Sequence, residues 1–368
     1  MMRTRRVFPT FVLSSFAVAL LATTPAHAQY TSDFENLNAS AGGTILTGQD
    51  GFYLPSGVDF NAYTYAGNVL GFVQNPFGGN QFVAGEGPGD GTNFARAQRD
   101  ITWGTGYVEL EYDVAGQFLG TGTTVDNVGS FSVQPYPGSQ DYIHLFSWVD
   151  PNNPTAFKAW YMSYDVNGGI HNAPGISPGA AWDNLDVNHW YRFGTVLDFA
   201  TNRIVYAWIT DLHTGLSDGV VLTDWYMEGG AAGKPAPTGF RFFAGGGSGS
   251  DNALGWDNMS SESVDFLATL DGSCPGRVRL NVTGATPSGK VAIVVGTNAG
   301  KFVNPNPPCP GITIDLTPPF LTGFPKIVKA DANGNLSLPG QLPANLCGKV
   351  LIQVVDLTTC GVSNIVKK

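Results

Sequence analysis

Tyr107-Val-Glu-Leu-Glu-Tyr-Asp-Val114 is the stretch on which the fold turns. Apolar and acidic residues alternate through it with period two, the pattern of a strand that buries one face. Working outward, residues 142–149 and 157–164 read as two aromatic-rich strands joined by the loop Asp150-Pro-Asn-Asn-Pro154. Residues 190–197 and 204–210 form another pair, turned by Asp198-Phe-Ala-Thr-Asn202, and 238–244 and 254–259 follow. No long stretch has helical periodicity. Forty-eight glycines and 24 prolines punctuate turns, and 23 Phe and 13 Tyr suit pleated surfaces. The expectation is an all-β protein: a jelly-roll β-sandwich followed by a second, smaller β-sandwich.

At the N-terminus, Arg3, Arg5 and Arg6 precede an apolar stretch from Val7 to Leu21, and Ala26-His27-Ala28 closes the segment. This is the pattern of a cleavable signal peptide over residues 1–28. The apolar stretch is shorter than the roughly 20 residues that a membrane helix needs, and no later segment supplies a span. The sequence therefore predicts a protein that is secreted or displayed at a cell surface.

All eight Trp lie between Trp103 and Trp256, and all four Cys between Cys274 and Cys360. Charge divides at the same place. Residues 29–271 hold 7 basic and 26 acidic side chains; residues 272–368 hold 9 and 3. Two domains, 29–271 and 272–368, are predicted, meeting at Asp271-Gly272-Ser273. In the second, residues 277–282, 290–295, 327–330, 336–338 and 350–355 read as strands, the last a nearly continuous apolar run suited to a central position. Asp331-Ala-Asn-Gly-Asn335 imitates the start of a calcium-binding EF-hand loop. It lacks the later Glu, and it is expected to be a hairpin turn. Cys274, Cys309, Cys347 and Cys360 predict two disulfides with three possible pairings. Cys347 and Cys360 flank the apolar run at opposite ends, which disfavours their pairing.

Several segments of residues 31–262 resemble the concanavalin A-like lectin/glucanase superfamily, especially its laminin-G-like members. The matching residues are Ser32-Asp-Phe-Glu-Asn-Leu37, Gly48-Gln-Asp-Gly51, His189-Trp-Tyr-Arg-Phe-Gly-Thr-Val-Leu-Asp198 and Gly255-Trp-Asp-Asn258. Residues 274–368 resemble a C-terminal module of exported planctomycete-type proteins, on Cys274-Pro-Gly276, Gly284-Ala-Thr-Pro287, Pro308-Cys-Pro-Gly311, Cys347-Gly348, Gln353-Val-Val-Asp356 and Cys360-Gly-Val-Ser-Asn364. That second resemblance implies attachment or display. The first implies a Ca²⁺ ion at the sandwich rim, with Asp257 as its expected ligand. Asp33, Asp50, Asp126 and Asp251 are further loop acids, and Asp and Asn in loops also serve as turn formers.

Glu109, Glu111 and Asp113 share one strand face. Laminarinase-type glucanases of the superfamily carry an acid triplet on a strand in the order Glu, Asp, Glu. The order here is Glu, Glu, Asp, so a solvated acidic outer face is expected, with all three acids titrating in the ordinary range. No catalytic set is expected elsewhere. The run Gly246-Gly-Ser-Gly-Ser250 misses the nucleophile-elbow pattern, and His144, His171, His189 and His213 read as packed or hydrogen-bonded residues. The acidic first domain argues against nucleic acid. Sugar stacking would draw on Trp148, Trp160, Tyr161, Trp182, Trp190 or Trp225. Trp182 is the best placed, in what reads as an exposed loop, Gly179-Ala-Ala-Trp-Asp-Asn184. The expected function is carbohydrate binding or adhesion, with a glycan, polysaccharide or matrix partner. A structural surface protein without a small ligand and a glycoside hydrolase using Glu109, Glu111 and Asp113 are the alternatives.

Overall fold

A computed structural model describes residues 30–87, 94–104, 106–120, 127–171, 175–245, 252–264 and 266–368. The expected signal segment, Asp126, Asp251 and the 246–250 run lie outside them.

The first unit is a jelly-roll sandwich of two antiparallel sheets. One sheet runs, edge to edge, Ser217–Val221, Arg203–Asp211, Tyr191–Asp198, Tyr107–Phe118, Asn252–Ser263, Gln81–Glu86, Asn61–Thr64 and Thr44–Ile45, with Tyr30–Ser32 added onto Asn252–Ser263. The other is centred on Asn127–Gln134, with Ile143–Trp148 and Ala156–Met162 on one side and Gly239–Ala244 and Ala95–Asp100 on the other. The period-two reading of the founding strand holds. Val108, Leu110, Tyr112 and Val114 enter the core, where they meet Phe131, Val133, Phe240 and Phe242 of the facing sheet. Tyr112 stacks on Phe131 with centroids 4.7 Å apart, within the range that favours aromatic pairs. His144 is fully buried, bonded through Nδ1 to the Tyr112 hydroxyl at 2.7 Å, and burial holds its pKa well below the usual imidazole range.

The second unit is a smaller sandwich. Leu267–Gly272, Gly276–Thr283 and Leu336–Leu342 form one sheet; Lys326–Lys329, Lys290–Gly296, Leu351–Asp356 and Val366–Lys367 form the other. Leu351–Asp356 is buried along its whole length, as its apolar run predicts. Disulfides join Cys274 to Cys347 and Cys309 to Cys360. Leu267–Gly272 pairs with Gly276–Thr283 along its length, and Phe266 and Ala268 lie in the second core. Asp271 and Gly272 are thus paired strand residues, and the hairpin turns at Ser273–Pro275. Gly272 takes φ +102° there, a conformation open to glycine. Asp331–Asn335 is a turn, but it connects strands of opposite sheets rather than a hairpin pair. Asp331 Oδ1 accepts the backbone N–H groups of Asn333 and Asn335, both at 2.8 Å.

The two units touch through the outer face of the first sheet. At one end of that face Val196, Tyr206 and Trp208 pack against Ala292, Val294, Ile314, Leu316, Leu351, Val355 and Ile365 of the second unit. At the other end the segment around Tyr65, Leu70 and Phe72 covers Phe82, Ala84, Ala115 and Trp190. Between these two apolar seals runs a polar seam, and the acid triplet lies in it.

Candidate functional site

The seam is laid down by strand register. Arg192 stands opposite Asp113, Gly194 opposite Glu111 and Val196 opposite Glu109. On the other flank Asp257 faces Asp113, Ser260 faces Glu111 and Glu262 faces Glu109, with a bulge between Asp257 and Ser260. All these side chains belong to the outer face, by the same alternation that sends Leu110 and Tyr112 inward.

The inner end of the seam is buried. Asp113, with no exposed surface, receives Nε of Arg192 at 2.7 Å and Nη2 at 3.0 Å, a bidentate pair. Asn75 and Asn258 donate their amides to the same carboxylate at 2.9 and 2.8 Å. Asp257 accepts from the Tyr65 hydroxyl at 2.9 Å, the Asn75 amide at 3.1 Å and the Asn258 backbone N–H at 2.8 Å. Burial, and then the Asp113 charge, push its pKa up to about 7 against the hydrogen bonds that lower it. Gly78 lies so close that a Cβ there would overlap Asp257 Oδ2. This donor set of guanidinium, amide and hydroxyl groups suits carboxylates and does not suit a cation. Among the described residues no three carboxylate, imidazole or thiolate groups converge to hold a metal ion. Asp33 caps the N–H of Glu35, and Asp50 pairs with the Tyr30 hydroxyl and Arg99.

The outer end opens into a cavity of about 540 Å³. Its floor is Glu109 and Glu111, flanked by Arg192, Thr210 and Asp211 of the neighbouring strands. The second unit supplies Lys301, Thr313, Asp315, Gln353 and Ser363. Phe77 and Val303 stand at its edge, 65% and 59% exposed. Lys301 bridges the units: its Nζ is 3.4 Å from Glu111 Oε1 and 2.9 Å from Asp315 Oδ1, and it sits 4.4 Å over the Trp208 ring. Burial opposes its charge, but Asp315, Glu111 and Glu109 outweigh that and hold the ammonium protonated above its ordinary range. Trp208 in turn lies across Gly194, where any Cβ would fall inside its ring. Glu109 carries no hydrogen bond to a described residue. Burial, then Glu111 and Asp315, with Glu262 adding a little and Lys301 opposing, push its pKa up to about 8.

The triplet is therefore not the solvated face expected of it. The second unit and the 65–79 segment roof it over, and this removes Asp113 from water and shifts Glu109. Trp182 also needs correction. It sits on the short turn Ala180–Trp182, but its side chain is wholly buried in the core and offers no face for stacking. Trp148, Tyr161, Trp190 and Trp225 are buried as well. Trp160, partly exposed, donates to Ser147. Phe77, Lys301 and Asp315 were not anticipated. The one usable signal was a lone lysine within the strand Ala299–Val303.

No protein-family model matches the chain, and no curated protein sequence does. Several solved structures are similar in fold at low sequence identity. They include peanut lectin (9% identity, 64% of this chain and 97% of that one, TM-score 0.36). Others are lectin I from Ulex europaeus in complex with a methyl fucoside (12%, 49% and 85%, TM-score 0.30) and an alginate lyase from Chlorella virus (11%, 51% and 86%, TM-score 0.32).

Proposed function

We propose that the chain is an exported glycan-binding protein whose binding site is the cavity between the sandwich's outer face and the second unit. The cavity itself carries this reading. Its volume falls in the range of small-ligand sites, about 300–1,000 Å³. It joins an exposed aromatic ring to carboxylates, hydroxyls and an amide, the groups that suit the apolar faces and the hydroxyls of a sugar. The second unit then has two roles, closing the site and attaching the protein to a surface. The test is a glycan array probed with the whole chain, with and without calcium, which the resemblance implies. Reproducible binding that weakens about tenfold in Phe77→Ala is expected. Silence across neutral, amino and acidic glycans would move the protein to the structural class.

One observation favours a second reading. Glu109, whose pKa burial pushes up to about 8, shares a strand face with Glu111, and a pair of carboxyls of which one is kept as an acid is what glycoside hydrolysis requires. Release of reducing sugar from a polysaccharide, with a bell-shaped pH profile and loss in Glu109→Gln, would establish it.

A further inference from the structure

Within the glycan-binding reading, on which this inference rests, the cavity also points to a kind of sugar. We infer that the cavity selects glycans with free, protonated amino groups, such as a hexosamine lacking its acetyl group, and excludes uronic acids.

The first observation is the balance of committed and uncommitted charge. Glu109, Glu111, Asp211 and Asp315 line the cavity against Arg192 and Lys301. Arg192 is spent on Asp113 behind the wall, and Lys301 is shared between Glu111 and Asp315. Asp211 is held by His189 at 2.9 Å. Glu109 remains: a half-buried carboxyl that lines the cavity and receives no donor from any described residue. An ammonium group offers only donors, and it can take the place of the Glu109 proton and pair with the carboxylate left behind, whereas a uronate would bring a further negative charge beside Glu111, Asp211 and Asp315.

The second observation concerns what else could supply a positive charge. No three ligating groups among the described residues converge on a point. The cavity is roomy, and its acids are dispersed, a layout that fits a charge carried on a larger organic molecule. Thr210 and Thr313 lie within reach of the hydroxyls of that molecule, and Phe77 offers a ring to its apolar face.

The groups facing Glu109 are Glu111 on its own strand, Glu262 across the strand pair, the Tyr206 hydroxyl on the same sheet, and Asp315 and Lys301 from the second unit. Burial first, and then the acids among them against the opposing Lys301, keep its proton on at neutral pH. An arriving ammonium reverses that balance, so binding ionises Glu109 and expels its proton.

The experiment is calorimetric titration of the whole chain at about pH 6, where Glu109 holds its proton. The probes are a glucosamine hexamer, its fully N-acetylated counterpart and a galacturonate hexamer, each in two buffers of different ionisation heat. The amino hexamer should bind at least about tenfold tighter than the acetylated one, with a measurable fraction of a proton released, and the galacturonate should not bind. Glu109→Gln should abolish the proton release and bring the two hexosamine affinities to within about threefold. Its melting curve serves as the fold control, and if the variant unfolds, the ligand comparison and proton release in the unaltered protein decide. Equal binding of the amino and acetylated hexamers would overturn the selectivity and leave the glycan reading standing. Failure of all three probes, together with a silent array, would overturn both. Stoichiometric displacement of the amino hexamer by calcium would make the cavity a metal site and refute the inference.

Discussion

At Asp113 a buried carboxylate takes four hydrogen bonds, two of them from one guanidinium. Such a pair is only weakly stabilising as a whole, but removing one partner strands the other in a medium that solvates charge poorly. Arg192→Met should therefore destabilise the first unit by about 3–5 kcal/mol in chemical denaturation, while the double change Arg192→Met with Asp113→Leu should recover much of the loss. Equal stability of the single and double variants would show that the pair does not act as a unit. Asp141 is the opposite case. It is buried, and burial, followed by the neighbouring Glu228 carboxyl, pushes its pKa up to about 9. Asp141→Asn keeps the shape and removes the cost of ionisation, so the variant should be the more stable protein at about pH 9, by about 1–3 kcal/mol.

At the level of the strand, alternation made much of this legible. Because Tyr107–Phe118 is two-sided, the residues that enter the core could be named from the sequence alone, and the acids had to share the other face. What covers that face could not be read. Alternation says which side of a sheet a residue takes and nothing about what packs on it, and the cover comes from residues 65–79 and 299–315, far away along the chain. The error at Trp182 has a related cause. A Gly-Ala-Ala-Trp-Asp-Asn turn has the polarity of a loop tip, yet one indole was enough to plug the end of the core. Gly194 is the counterpart on the outer face. Gly194→Ala should displace Trp208, and with it the cation-stacked Lys301, at a cost of about 1–3 kcal/mol. Indole fluorescence would show the displacement, and an unchanged spectrum and melt would mean that Trp208 does not need the glycine.

For the molecule as a whole, composition changes at 271–273, and there the chain passes from the strand Leu267–Gly272 into its partner Gly276–Thr283. The contact between the units has its own consequence. Residues 29–264 expressed alone would expose Val196, Tyr206 and Trp208 to water. That fragment should fold, self-associate in light scattering and bind no glycan, since half the cavity wall is missing. A monomeric fragment with full affinity would place the site elsewhere. The global pH response follows from Glu109, Asp141 and Asp257, whose folded pKa values of about 8, 9 and 7 all lie above the unfolded carboxyl range. Between about pH 5 and 7 the folded state holds protons that the unfolded state has lost. Stability should therefore fall as pH rises, by about 3–4 kcal/mol per pH unit, and denaturant midpoints across that range would show a flat or rising trend if the assignment is wrong. The Cys309–Cys360 bridge adds a further condition. It ties the loop after Ala299–Val303, which carries Lys301 and Val303, to the turn leading to Ser363. The wall of the cavity is thus assembled by oxidation. If the cavity is the binding site proposed above, a reductant would act on the protein as an antagonist.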